Sequence, residues 1–147
     1  MEKEFVPYDL ALRMKRLGFD EPCIARYNVP GELITSGCYS DSSIMHLVVE
    51  QNDICEAHIL APLFQQAFRW FRDSHGLWVD KTVTFHFEDN LIRGYHYNIH
   101  QAKDFIVDLN KSVEFWYFGT SEEKPELTCL EKLIKIVEEN ELNKQSN

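Results

Sequence analysis

The sequence predicts an α+β fold, an antiparallel sheet of about five or six strands packed against about three helices. Three observations carry that reading. Apolar residues recur at helical spacing in three places, after Pro7, after Pro62 and along residues 121–139. Between them lie runs that alternate with a period of two, clearest at residues 79–88. The composition, 44% hydrophobic and 13% aromatic over 147 residues, suits a chain that folds around large rings. A chain of this length buries roughly 68–70% of its unfolded surface and needs no covalent staple.

The first helix opens after Val6-Pro7-Tyr8, because proline is well tolerated in a first helical turn, and it places Leu10, Met14 and Leu17 on one stripe. Gly18 ends it, and Arg13, Lys15 and Arg16 suit the negative end of the helix dipole. Residues 23–29 read as a short strand, Pro30-Gly31 as a turn, and Leu33-Ile34-Thr35 as the returning strand of a hairpin. Residues 39–43 form a polar loop, and the β-branched stretch 44–49 a further strand.

The second helix opens at Pro62 and closes at Gly76. Phe64, Ala67, Phe68 and Phe71 form its inward stripe, with Leu63, Trp70 and Ser74 beside it, so Arg69, Arg72 and Trp70 make up the exposed fraction. The strand 79–88 turns at Asp89-Asn90 into a strand at 91–99, and a polar link at 108–111 leads to an aromatic strand at 113–118. Thr120 and Glu123 have capping-box spacing for the last helix, residues 121–139, where Pro125 fits only the first turn. That helix would span about 28 Å. With no repeat or linker, residues 1–142 read as one domain and 143–147 as a frayed tail.

Fifteen basic against twenty-four acidic residues leave a formal charge of −9, the wrong sign for a protein whose main task is neutralising phosphates. No apolar run long enough for a signal peptide or membrane span begins the chain, so a cytoplasmic location with no membrane partner is expected. Cys23, Cys38, Cys55 and Cys129 are then reduced thiols.

The segments Glu4-Phe5-Val6-Pro7-Tyr8, Leu17-Gly18-Phe19-Asp20-Glu21-Pro22-Cys23, Ala61-Pro62-Leu63-Phe64-Gln65-Gln66-Ala67-Phe68-Arg69-Trp70-Phe71-Arg72 and Cys129-Leu130-Glu131-Lys132-Leu133-Ile134 are similar to an uncharacterised family of small proteins from Bacteroidetes bacteria and their phages and mobile elements. Residues 36–59 match it least. The resemblance implies no activity, cofactor or catalytic residue. His75 departs from it, standing where a Lys or Tyr is expected.

Among motifs, Cys38, His46, Cys55 and His58 have the atom types of a tetrahedral zinc site, with two residues between Cys55 and His58, though the spacing of Cys38 and His46 fits no common knuckle. His86, His96 and His100 lie on neighbouring strands, but positions four apart on one strand are about 13 Å apart, which favours surface histidines over a shared metal. The glycines stand singly, so no phosphate loop or dinucleotide fingerprint can be drawn, and no nucleophile elbow is present. No cofactor is implied.

The function expected on these grounds is protein–protein interaction by a small acidic accessory domain, a regulator or inhibitor of the kind a mobile element carries. Arg69, Trp70, Arg72, Trp78, Trp116 and Tyr117 are its candidate anchors, because the four rings offer more area than one core hides and the two arginines fall on the exposed side of the second helix. A nucleic-acid- or nucleotide-binding domain is the alternative, and it requires Arg26, Arg69, Arg72 and Arg93 to share a face with exposed rings. A metal-dependent enzyme is the third reading.

Overall fold

The computed structural model describes residues 2–28, 30–35, 59–85, 92–103, 106–117 and 125–145, with residues 2, 83–85, 92–96, 103, 106–117 and 145 described by backbone alone. Among the described residues the architecture is α+β with three α-helices, but the strands form two antiparallel sheets of three rather than one sheet. The chain divides into two compact units, Met1–Ala67 and Phe68–Asn147, with the boundary inside the second helix.

In the first unit, a 3-10 turn (Glu2–Glu4) precedes α1 (Tyr8–Arg16), and a sheet of order β2-β1-β3 joins β1 (Ala25–Tyr27), β2 (Leu33–Thr35) and β3 (Ile59–Leu60). α1 starts directly after Pro7, as the sequence predicts, and buries Leu10, Ala11 and Met14. Its end is a Schellman motif: Gly18 N–H donates to the Lys15 carbonyl and Phe19 N–H to the Met14 carbonyl, both at 3.0 Å. Gly18 has φ +95°, and Phe19 and Met14 are both buried beside the cap. Nothing lies within 4 Å of a Cβ built on Gly18, so alanine there should cost about 1 kcal/mol, the conformational penalty alone, read from a urea midpoint.

β1 and β2 form the expected hairpin, registered Arg26↔Ile34, and Glu32 N–H donates to Asn28 Oδ1 at 2.9 Å across its turn. The Tyr27 hydroxyl donates to the Val6 carbonyl at 2.7 Å, which satisfies a buried polar atom and ties β1 to the segment before α1. Val6 N–H donates to the Pro62 carbonyl at 2.9 Å, and Phe5 bridges Leu63. Gln66 closes the unit, donating to the Pro22 carbonyl at 2.8 Å.

α2 (Phe64–His75) ends at Gly76, φ +65°, whose N–H donates to the Arg72 carbonyl at 3.0 Å. The second unit then builds the sheet β4-β5-β6 from β4 (Leu77–Phe85), β5 (Ile92–Lys103) and β6 (Ile106–Tyr117), covered by α3 (Pro125–Gln145). β4 runs from Leu77↔Gln101 to Phe85↔Ile92 along β5. Leu77, Tyr97 and Ile99 are buried, as are Cys129, Leu130, Leu133, Ile134 and Val137 of α3 at spacings of one, three and four residues, so helix and sheet share one apolar layer.

Three boundaries differ from expectation. β5 continues past Ile99 to Lys103, and β6 begins at Ile106, so residues 108–111 lie in a strand where a link was expected. The register shifts between Ile99 and Gln101, whose partners on β6 are Val113 and Asp108 respectively. A bulge absorbs these polar residues without ending the ladder. α3 continues through Gln145, beyond the point where fraying was expected. The expected strand at 44–49 and the capping pair Thr120–Glu123 fall outside the described residues. No described helix is long and apolar enough to cross a membrane.

Candidate interaction surface around Trp78

α2 separates the rings of its own sequence in a way that corrects one expectation. Trp70 is only 4% exposed and Phe71 is fully buried, while Phe68, placed inward by the helical pattern, is half-buried. Trp70 packs edge-on against Phe71 at 4.9 Å and against His75 at 4.7 Å. It is a packing residue, and its ring is not offered to a partner.

Trp78 is different. It is the second residue of β4, directly after the Gly76 turn, and 39% of it is exposed. The Arg72 guanidinium carbon sits 5.3 Å from its ring centroid, within cation–π range, because α2 and β4 are joined by a single residue. Arg72 also donates from Nε to Asp73 Oδ1 at 2.7 Å and from a terminal nitrogen to Oδ2 at 3.4 Å. That hydrogen bonding raises the Arg72 pKa further, and chiefly through it the Asp73 carboxyl is held below the ordinary carboxylate range, with the charges of Arg72 and Arg69 adding to the effect. The guanidinium is thus braced by a carboxylate over the indole.

On the neighbouring strand His100 pairs with Trp78, and its Nε2 lies 3.2 Å from Asp80 Oδ2, the diagonal position two residues along β4. Asp80 is 73% exposed. Arg69 is exposed one turn of α2 before Arg72. The surface therefore presents Arg69, the Arg72–Asp73 pair, the face of Trp78 and the His100–Asp80 pair, a ring bordered by charges of both signs.

Other candidates from the sequence are placed as follows. The register sets His96 opposite Thr82 and Trp116 opposite His96, with Tyr117 opposite Tyr95; these residues are described by backbone alone. His86 and the zinc candidates Cys38, His46, Cys55 and His58 fall outside the described residues. Among the described residues no three potential metal ligands gather. Cys23 and Cys129 are free, buried thiols that burial pushes up to about 12, and so unreactive near neutrality. Of the four arginines required by the nucleic-acid reading, Arg69 and Arg72 share a stripe of α2; Arg26 belongs to β1 in the other unit, and the side chain of Arg93 is not described.

Sequence reasoning marked His75 and His100 but missed the enclosure of the first by aromatic rings and the pairing of the second with Asp80. The ring of His75 lies against Trp70 and Phe71, and its Nε2 is enclosed with no hydrogen-bond partner among the described residues. Burial lowers its pKa, opposed by Glu141 and assisted by Lys144. Because the folded pKa lies below the unfolded value near 6.5, both states are neutral above that value, and below it the unfolded chain binds the proton first. Stability should therefore be fully present above about pH 6.5 and fall as pH drops through the depressed folded pKa. Replacing His75→Phe, which keeps a ring against Trp70, should flatten that decline in urea titrations at pH 7.5 and about 5.5; an unchanged slope would remove His75 as its source.

No family model, curated protein or solved structure matches the chain.

Proposed function

We propose that the chain is an acidic accessory protein that acts by binding another protein, with the Trp78 surface as its docking site. The single observation supporting this is the half-exposed Trp78 ring, held by an arginine that is itself braced by Asp73. Tryptophan and arginine are the residue types that most often dominate binding energy, and an anchor already fixed in place loses little side-chain freedom on docking. The matching partner surface is an apolar pocket for the indole, with acceptors for Arg69 and Arg72. A regulator or inhibitor carried by a mobile element would act in this way.

Nucleic acid is the weaker reading, because Asp73 already answers the cation nearest the exposed ring and the chain carries a net charge of −9. The test is capture from native lysate with and without nuclease, then reconstitution with the purified partner. Trp78→Ala should weaken that complex by about 2 kcal/mol, roughly thirtyfold, and Arg72→Ala by a smaller factor. A complex lost on nuclease treatment, or one indifferent to Trp78→Ala, would overturn the proposal.

A further inference from the structure

At the end of α2 the second unit contains a cleft of about 640 Å³, which lies within the roughly 300–1,000 Å³ range of small-molecule sites. Its apolar lining is limited to Leu77 and Val137, both buried; the rest is polar, supplied by the end of α2, by β5 and by the last turns of α3. We propose that this cleft binds a small zwitterion of the amino-acid class, with its carboxylate on Lys144, its ammonium on Glu141 and its remaining polar groups against His75, Gln101 and Asn140.

Charge balance selects the class. Glu141 and Lys144 both line the cleft and both act on the His75 imidazole, so a negative and a positive group lie within electrostatic reach of one ring. They stand three residues apart on α3, where side chains are neighbours about 5–6 Å apart at Cβ, yet neither forms an ion pair among the described residues. Two adjacent, opposite and uncommitted charges match a ligand that carries both signs a few bonds apart. A simple anion would leave Glu141 opposed to it, and a simple cation would leave Lys144 so.

His75 supplies the neutral wall. Its depressed pKa keeps the imidazole uncharged near neutrality, so it borders the cleft without upsetting the balance of Glu141 and Lys144. The ring is positioned by Trp70 and Phe71 rather than by hydrogen bonds, with Nε2 enclosed, so the imidazole is a fixed part of the lining. Ser74, Gln101 and Asn140 add a hydroxyl and two amides to the lining. A lining of this kind favours a hydrogen-bonding ligand over an apolar one.

The test is NMR of the full chain labelled at its histidine rings, with the His75 signal assigned by its loss in His75→Gln. The probes are glycine, L-serine and L-glutamine, with acetate and methylammonium as single-charge controls. At least one amino acid should shift the His75 signal saturably, at concentrations about tenfold below those at which either control acts, and Glu141→Gln and Lys144→Met should each weaken that response about tenfold. Both substitutions are at exposed positions, and the remaining histidine signals report whether the fold is kept. No saturable shift up to about 10 mM from any of the three, an equal response to acetate alone, or variants that respond like the parent would each overturn the assignment. Glu141 and Lys144 are not part of the Trp78 surface, so the result is independent of partner binding.

Discussion

Gly76→Ala is expected to destabilise the protein by about 3 kcal/mol, visible as a large drop in the urea midpoint, because two separate costs fall on one residue. Gly76 holds φ +65° to end α2, a conformation that costs alanine roughly 1 kcal/mol. A Cβ there would also collide with the backbone carbonyl oxygen of Ala102. The collision cannot be relieved by turning a side chain. It must push β5 from the α2–β4 turn and break the bond from Ala102 N–H to the Gly76 carbonyl, now 2.8 Å. Gly76→Asn separates the two costs, since asparagine tolerates the left-handed conformation but carries the same Cβ. An asparagine variant as stable as the parent would show that the close approach to Ala102 is not obligatory.

Trp70→Ala is expected to cost about 3–5 kcal/mol, as for other large buried aromatics, whereas Trp78→Ala should cost no more than about 1 kcal/mol. The contrast follows from their surroundings: Trp70 is enclosed by Phe71 and His75, while Trp78 keeps much of its ring in water under Arg72. Denaturation curves of the two variants measure both. Equal losses would mean that Trp78 is a structural residue, and the docking surface would lose its anchor. The same experiment checks that weaker partner binding by Trp78→Ala is not simply unfolding.

Much of the local structure was legible because it is written in nearest neighbours along the chain. Pro7 and Gly18 bracket α1 through a ring with no amide to donate and a residue free to take φ +95°; Gly76 ends α2 in the same way, whereas that helix begins at Phe64, two residues after the expected start at Pro62. The stripe Leu130, Leu133, Ile134 and Val137 announced the buried face of α3. The polar stretch 108–111 reads as a loop by its polarity, whereas Asp108 pairs with Gln101 and the residues after it fall at a register shift within one continuous strand. Helical phase assigns stripes but not the width of the surface that covers them, so it does not show that Phe71 and His75 of the same helix pack against the Trp70 ring.

The candidate site was legible only in part. Arg69, Arg72 and Trp78 are the types expected at a binding surface, and sequence sufficed to single them out. That Arg72 lies over Trp78 depends on the direction the chain takes through the Gly76 turn, and that His100 meets Asp80 and that Glu141 and Lys144 line one cleft with His75 depends on strand register and on contacts between groups twenty to nearly seventy residues apart.

By itself, then, the sequence determined the α+β class, the three helices with their capping prolines and glycines, and the alternating strands, since each rests on backbone preference and periodicity within a few residues. Only the tertiary structure decided that the strands divide into two sheets and which rings are enclosed. It also decided which charges stand together beside Trp78 and beside His75. Alternation states which residues share a face of a strand, but not which strand lies next to it; that choice is made by long-range pairing and burial, which no local pattern encodes.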